Sequence, residues 1–114
     1  MFDVIFQLQT DFYRLRLKNY SGNAGDSFMH RHNDLRFTTL DNDNDNFADE
    51  NCSPDRGGGG WWFDDCSACH LNGINFGQNI TVMTFQGIYW SEFVKSDSSL
   101  KSVTMSIRPS NAQD

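Results

Sequence analysis

The sequence predicts one α+β domain that is β-rich and dominated by loops. Two short segments, residues 12–17 and residues 100–107, alternate apolar and polar side chains with the period of two that is typical of a half-buried strand. Residues 41–60 consist almost entirely of acids, amides, Ser, Pro and Gly, and so long a loop in a compact domain is usually functional or disordered. No stretch has the apolar periodicity of a three-turn helix, so we expect any helices to be short.

Turn residues and aromatic clusters predict the remaining elements. The first strand should end at residues 19–26, where two glycines and two asparagines favour a tight turn. The run Trp61-Trp62-Phe63 must be buried or bind something. A further short strand is expected at residues 35–39, and strands or turns are expected at residues 80–85 and 87–93. The final strand should end at Arg108-Pro109. Its apolar face would consist of Val103, Met105 and Ile107.

Composition narrows the class of protein and its surroundings. A chain of 114 residues suits one domain, and a net charge of -6 with scattered basic residues argues against a nucleic-acid partner. No apolar run is long enough to span a bilayer, and a signal for export, if there is one, is expected upstream. Three cysteines allow one disulfide and one remaining thiol. Together with three glycosylation sequons, they favour an extracellular setting. The sequon asparagines are Asn19, Asn51 and Asn79.

The strongest chemical signal is the alternating acidic run Asp41-Asn42-Asp43-Asn44-Asp45-Asn46. Calcium takes six to eight oxygen ligands, and neighbouring carboxylates repel one another unless a cation lies between them. An EF-hand is excluded, because its sixth position would be Asn46 instead of Gly and its twelfth Cys52 instead of Glu. The residues therefore leave two interpretations open, a calcium site and a solvated acidic loop.

Other motifs give weaker signals. The run Cys66-Ser67-Ala68-Cys69-His70 fits the pattern for covalent haem attachment, and the same residues with Cys52 could bind zinc, although a disulfide is the simpler explanation. Residues 57–60 are four glycines with no Gly-Lys-Ser/Thr after them, which favours a flexible turn over a phosphate-binding loop. No nucleophile lies in a recognisable catalytic motif, so we do not expect an enzyme.

Nine blocks of sequence, in order, resemble the fibrinogen C-terminal globular domain that fibrinogen chains share with ficolins, tachylectin-type lectins, angiopoietins and tenascins. The blocks are Tyr13-Arg14-Leu15, residues 20–27, residues 37–45, Cys52, Gly60-Trp61-Trp62-Phe63, Cys66, His70-Leu71-Asn72-Gly73, Gly87-Ile88-Tyr89-Trp90 and residues 100–109. The likeness covers only the C-terminal half of that domain. It implies a partial fibrinogen C-terminal domain at residues 12–109, with residues 1–11 unassigned and residues 110–114 as a tail.

The resemblance also implies the site residues. A calcium ion would be bound by Asp43 and Asp45 and by the backbone carbonyls of Phe47 and Asp49. A disulfide would join Cys52 to Cys66, which leaves Cys69 over, and the peptide bond between Asp65 and Cys66 would be cis. In lectin members of the family, backbone N–H groups at that bond accept acetyl groups of sugars against aromatic walls. The corresponding pocket here would consist of Asp65, Cys66, Ser67 and Tyr89.

The resemblance therefore implies a secreted module that recognises carbohydrate or glycoprotein with the help of calcium, as innate-immune lectins do. The alternative is a protein-interaction module like those of angiopoietins or tenascins, without a sugar ligand. Upstream segments could supply oligomerisation.

Overall fold

The computed structural model describes residues 1–77 and 84–109. The chain forms short elements joined by long loops, as expected for a loop-dominated α+β domain. In order these are strand β1 (Asp3–Phe6), a 3₁₀ turn (Gln9–Asp11), strand β2 (Leu15–Lys18), helix α1 (Met29–His32), helix α2 (Cys52–Asp55), strand β3 (Cys69–His70) and strand β4 (Tyr89–Trp90). Strand β1 pairs antiparallel with β2, and β3 pairs antiparallel with β4. Within the described ranges, no helix is long and apolar enough to cross a bilayer.

Strand β2 begins later than the alternating pattern predicts. Leu15 and Leu17 are buried while Arg16 and Lys18 are exposed, which is the expected alternation. At Tyr13, two residues before Leu15, the backbone is not in a strand, because the N–H of Tyr13 donates a hydrogen bond to the carbonyl of Leu8 and closes a turn. The segment that the sequence left unassigned therefore has a structural role, since its strand β1 pairs with β2.

Two other predicted strands are wrong where the structure describes them. Residues 35–39 contribute single β-bridges instead of a strand, the longer-range one joining Thr38 to Trp61. Residues 100–107 form no strand, and the three apolar side chains of their predicted face are exposed. The pattern is strand-like, but within the described ranges Leu100 alone has a backbone hydrogen bond to another segment, from its N–H to the carbonyl of Ile88. The strand or turn expected at residues 80–85 falls mostly outside the described residues.

The core is built from rings and sulfur instead of aliphatic runs. Trp61 and Phe63 are completely buried, and the ring of Phe28 stacks on Trp61 with 5.1 Å between centroids. The disulfide between Cys52 and Cys66 lies in the same cluster. Large rings bury more surface per residue than aliphatic side chains do. A small number of them is therefore enough to form the core of so short a chain.

Candidate functional site

The acidic loop is held in place by its own carboxylates. The Asp45 carboxylate accepts hydrogen bonds from the backbone N–H of Phe47 at 2.9 Å and of Cys52 at 2.8 Å. The Asp43 carboxylate accepts from the N–H of Asp45 at 3.2 Å. These bonds curl the backbone so that both acidic side chains lie on the same turn. The neighbouring Asn44 is fixed separately, since its backbone N–H donates to the Thr38 hydroxyl.

The electrostatics of this turn suit a hard cation. Partial burial raises the pKa of Asp45, and the nearby Asp43 carboxylate raises it further, although the two backbone N–H groups oppose this. A cation beside both acids would relieve the repulsion. Within the described ranges no group of three or more His, Cys, Asp or Glu side chains is placed to hold a metal. Calcium would therefore need backbone carbonyls, such as those of Phe47 and Asp49, and water to complete its ligands.

The sequon asparagines differ in their surroundings. Asn51 is half-buried, and its side-chain amide donates to the carbonyl of Thr39 at 2.9 Å. Asn19 is exposed and donates to the Asp3 carboxylate at 2.6 Å. Asn79 lies outside the described residues. Of the two described asparagines, Asn19 is the one whose side chain is open to solvent.

The residues of the expected acetyl-binding pocket are brought together, but the pocket is closed. The peptide bond between Asp65 and Cys66 is cis, and Asp65 itself is exposed. Tyr89 is completely buried, and its hydroxyl is hydrogen-bonded to the side chain and to the carbonyl of Ser67. Burial raises the pKa of the Tyr89 phenol. Because the ring is completely buried, it presents no free face to a ligand in this conformation.

His32 fixes the loop that contains Ser67 and Ala68, and the sequence did not predict this role. Its Nδ1 donates to the carbonyl of Trp62 at 2.8 Å, and its Nε2 accepts from the backbone N–H of Ala68 at 3.0 Å and, more weakly, of Cys69 at 3.4 Å. A ring nitrogen can accept only when it is unprotonated, so the bonds to Nε2 require the neutral ring, and burial lowers the pKa of His32 to about 4. A histidine on a four-residue helix carries no local signal for such a role.

A second surface feature is a groove between the 3₁₀ turn and the start of the acidic loop. We call it the aromatic groove. Its volume is about 340 Å³, near the low end for ligand pockets. The lining residues are Gln9, Phe12, Tyr13, Phe37, Thr39, Asn42 and Asn44. The rings of Phe12 and Tyr13 are 42% and 49% exposed. The lining contains no charged side chain, so the groove suits neutral groups.

Tertiary hydrogen bonds hold these two rings outward. Phe12 and Tyr13 have φ angles of 53° and 55°, in the left-handed region that bulky residues rarely adopt. The carbonyl of Phe12 accepts from the N–H of Phe37, and the carbonyl of Tyr13 accepts from the indole N–H of Trp62, both at 2.9 Å. The Arg36 guanidinium lies 5.5 Å from the centre of the Phe12 ring. Uncommon backbone conformations that are secured in this way cluster at functional sites.

Comparison with known proteins decides the family. The family model described as fibrinogen beta and gamma chains, C-terminal globular domain, matches residues 2–110. The chain belongs to this family. The match begins at residue 2, so it includes strand β1, which the sequence resemblance did not reach.

Several relatives are similar over most of this chain. Human angiopoietin-related protein 6 is 41% identical over 102 residues, which are 89% of this chain and 21% of that protein. Human fibrinogen-like protein 1 is 36% identical over 113 residues, covering 90% of this chain and 36% of that protein. The chain thus spans between about a fifth and about a third of the length of these two relatives.

Solved structures agree with this fold. The fibrinogen-like globe domain of human ANGPTL6 aligns with a TM-score of 0.76 at 36% identity, covering 88% of this chain and 45% of that one. A lamprey fibrin D-dimer, solved with the peptide ligand Gly-His-Arg-Pro-amide, aligns with a TM-score of 0.65 at 27% identity, covering 96% and 42%. The chain therefore corresponds to less than half of each solved chain.

The disulfide also decides between interpretations of the Cys66 to His70 motif. Cys66 is bonded to Cys52, so it is not available for haem attachment or for zinc. Cys69 is a buried free cysteine, and burial raises the pKa of its thiol. The haem and zinc interpretations are excluded for this folded form.

Proposed function

We propose that this domain is a protein-recognition module of the kind found in angiopoietin-related and fibrinogen-like proteins, that it works outside the cell, and that it is not an enzyme. Family membership and the similarity to human angiopoietin-related protein 6 support this proposal. The disulfide supports an oxidising compartment, since such bonds are rare in the cytosol.

The aromatic groove is the observation that carries the proposal. A few residues, with Tyr and Trp enriched among them, dominate the binding energy of protein interfaces, and a contact segment whose backbone is already fixed loses less conformational entropy on binding. The rings of Phe12 and Tyr13 are exposed, and their backbone is secured by hydrogen bonds from Phe37 and Trp62. A neutral or apolar segment of a partner protein would fit a groove that has no charged lining.

Calcium would support the same surface. We propose that Asp43 and Asp45 bind a calcium ion together with the carbonyl of Phe47 and, further along the loop, of Asp49. Asn42 and Asn44 line the aromatic groove and alternate with these acids along the chain. An ion bound by Asp43 and Asp45 would therefore fix the backbone that forms one wall of the groove.

Recognition of acetylated groups on carbohydrate or glycoprotein is the second candidate. It is favoured by the proximity of Cys66, Ser67 and Tyr89, with Asp65 at the surface beside them. Binding there would require the contact between Tyr89 and Ser67 to open. N-acetylglucosamine and acetylated albumin are direct probes of this site, and Tyr89→Phe removes the hydroxyl that closes it.

Affinity capture followed by titration tests the proposal. The domain, loaded with calcium, would be used to capture partners from extracellular fluid, and each purified candidate would be titrated against wild type and Tyr13→Ala. Loss of a contact aromatic should weaken binding at least about tenfold. Phe93→Ala is the matched control, because Phe93 is an exposed ring outside the groove. Equal binding by Tyr13→Ala would contradict a groove interface, and binding to acetylated probes alone would favour the second candidate.

A further inference from the structure

The glycosylation sequon at Asn19 is open to solvent in the folded domain. Asn19 and Ser21, which supply the amide and the hydroxyl of an Asn-x-Ser acceptor, are both exposed. The φ of Asn19 is 58°, a left-handed value that Asn tolerates better than most residues, and it forms a turn directly after strand β2. The Asn19 amide donates to the Asp3 carboxylate at 2.6 Å. Since an amide that carries a sugar keeps one N–H, this bond is compatible with a glycan.

The sequon at Asn51 is engaged in holding the fold together. Asn51 is the N-cap of helix α2, where its side-chain oxygen accepts from the N–H of Ser53 at 2.9 Å. Its side-chain nitrogen donates to the carbonyl of Thr39 at 2.9 Å. The hydroxyl of Ser53 is buried and donates to the carbonyl of Gly59 at 3.1 Å. A glycan is bulky and needs a surface position, so a glycan on Asn51 would displace these contacts directly before the disulfide-bonded Cys52.

Strand register separates Asn19 from the aromatic groove. The pairing of β1 with β2 runs from Asp3 opposite Lys18 at one end to Phe6 opposite Leu15 at the other. Asn19 follows β2 at the first end, whereas the exposed rings of the groove lie in the connection between the two strands, at the second end. At about 3.4 Å per residue, strand β2 spans about 10 Å between these ends. A glycan on Asn19 would therefore be attached at the end of the hairpin that is away from the groove.

We propose that Asn19 carries an N-linked glycan, that Asn51 carries none in the folded domain, and that the glycan leaves the aromatic groove free for a partner. The donor would be a lipid-linked oligosaccharide pyrophosphate of the secretory pathway. A bond forms between Nδ2 of Asn19 and C1 of the first sugar, and the bond from C1 to the pyrophosphate breaks. The lipid pyrophosphate leaves, and the amide gives one proton to a base of the transferase. The proposal rests on the extracellular setting that is part of the proposed function.

Peptide mapping of the intact chain tests this proposal. The chain, directed by an added export signal, would be translated in the presence of endoplasmic-reticulum microsomes. Peptide N-glycosidase in ¹⁸O water then converts each glycosylated Asn to labelled Asp, which mass spectrometry locates. We expect the label at Asn19 and, in the disulfide-bonded fraction, none at Asn51. Absence of the label from Asn19 in the whole translated chain would overturn the proposal, and so would a label on Asn51 in the disulfide-bonded fraction.

Ser21→Ala is the matched variant, because it removes the sequon and keeps Asn19 in its turn. It should abolish the label at Asn19; a label that persists would be deamidation instead of a glycan and would overturn the proposal.

Hydroxyl-radical labelling tests where the glycan lies. Labelling of Phe12 and Tyr13 should be equal in the glycosylated wild type and in Ser21→Ala, and a fall of about twofold or more in the glycosylated chain would overturn the separation of glycan and groove. A chain without a glycan that still bound a partner through Tyr13 would overturn this proposal and leave the proposed function standing.

Discussion

Calcium should stabilise the domain through Asp43 and Asp45. A ligand that binds only the folded state at a hundred times its dissociation constant adds about 2.7 kcal/mol to the free energy of unfolding. For a domain of this size that corresponds to a rise in Tm of about 10 °C. The double variant Asp43→Asn/Asp45→Asn should lose this rise, because amides leave the ion without compensating charge. Differential scanning fluorimetry with calcium and with chelator measures the effect.

The two acids should differ in the chelated protein. From the residues that the structure describes, the Asp45 carboxylate accepts hydrogen bonds from two backbone N–H groups, whereas the Asp43 carboxylate accepts one, at 3.2 Å. Asp45→Ala should therefore cost about 2 to 4 kcal/mol without calcium, and Asp43→Ala less than about 1 kcal/mol. Asp41→Asn is the control, since within the described part of the chain the Asp41 carboxylate accepts a hydrogen bond from the Thr39 hydroxyl alone. If the double Asn variant kept the full calcium-induced rise in Tm, the assignment of the ligands would be refuted.

Three further predictions concern the core and its loop. Removing the Cys52–Cys66 disulfide, which closes a loop with a sequence separation of 14, should cost about 3 kcal/mol in urea denaturation, while native Cys69 should resist alkylation by iodoacetamide until the chain is unfolded. The pKa of His32 is lowered from 6.5 to about 4, so its neutral form stabilises the fold fully above pH 6.5. This stability, on the order of 3 kcal/mol, should be lost as the pH falls from 6.5 to 4. An equal loss of stability in His32→Gln would exclude His32 as the cause. Gly73→Ala should destabilise the fold by more than about 2 kcal/mol in urea denaturation, since a Cβ there would lie 1.9 Å from the carbonyl oxygen of Gly87. Unchanged stability would show that the backbones at Gly73 and Gly87 can separate.

The alternation of apolar and polar residues predicted the elements whose structure depends on residues near them in the sequence. The alternation of Leu15 and Leu17 identified strand β2. The aromatic run containing Trp61 was predicted either to be buried or to bind something, and Trp61 is buried in the core. The same alternation misled at Tyr13, whose N–H closes a turn to the carbonyl of Leu8 and whose carbonyl accepts a hydrogen bond from Trp62, which is 49 positions away. No window of sequence around Tyr13 contains that contact. The aromatic groove could not be predicted for the same reason.

The residues of the candidate site could be predicted mainly from the family resemblance. Resemblance implied both the pairing of Cys52 with Cys66 and the cis bond that precedes Cys66, and the structure contains both. It did not imply that Tyr89 would be turned inward onto Ser67, since that depends on how the side chains pack in this chain. His32 was missed because its partners are backbone groups far along the sequence, which composition and spacing do not specify.

Hydroxyl-radical footprinting of the domain in complex with a captured partner tests the proposed function most directly. In the free domain the exposed rings of Phe12, Tyr13 and Phe93 should all be labelled. In the complex we expect labelling of Phe12 and Tyr13 to fall severalfold while Phe93 remains labelled. New labelling of Tyr89, with Phe12 and Tyr13 unchanged, would show that the ligand opens the pocket at Ser67 instead, and would contradict recognition of proteins through the aromatic groove.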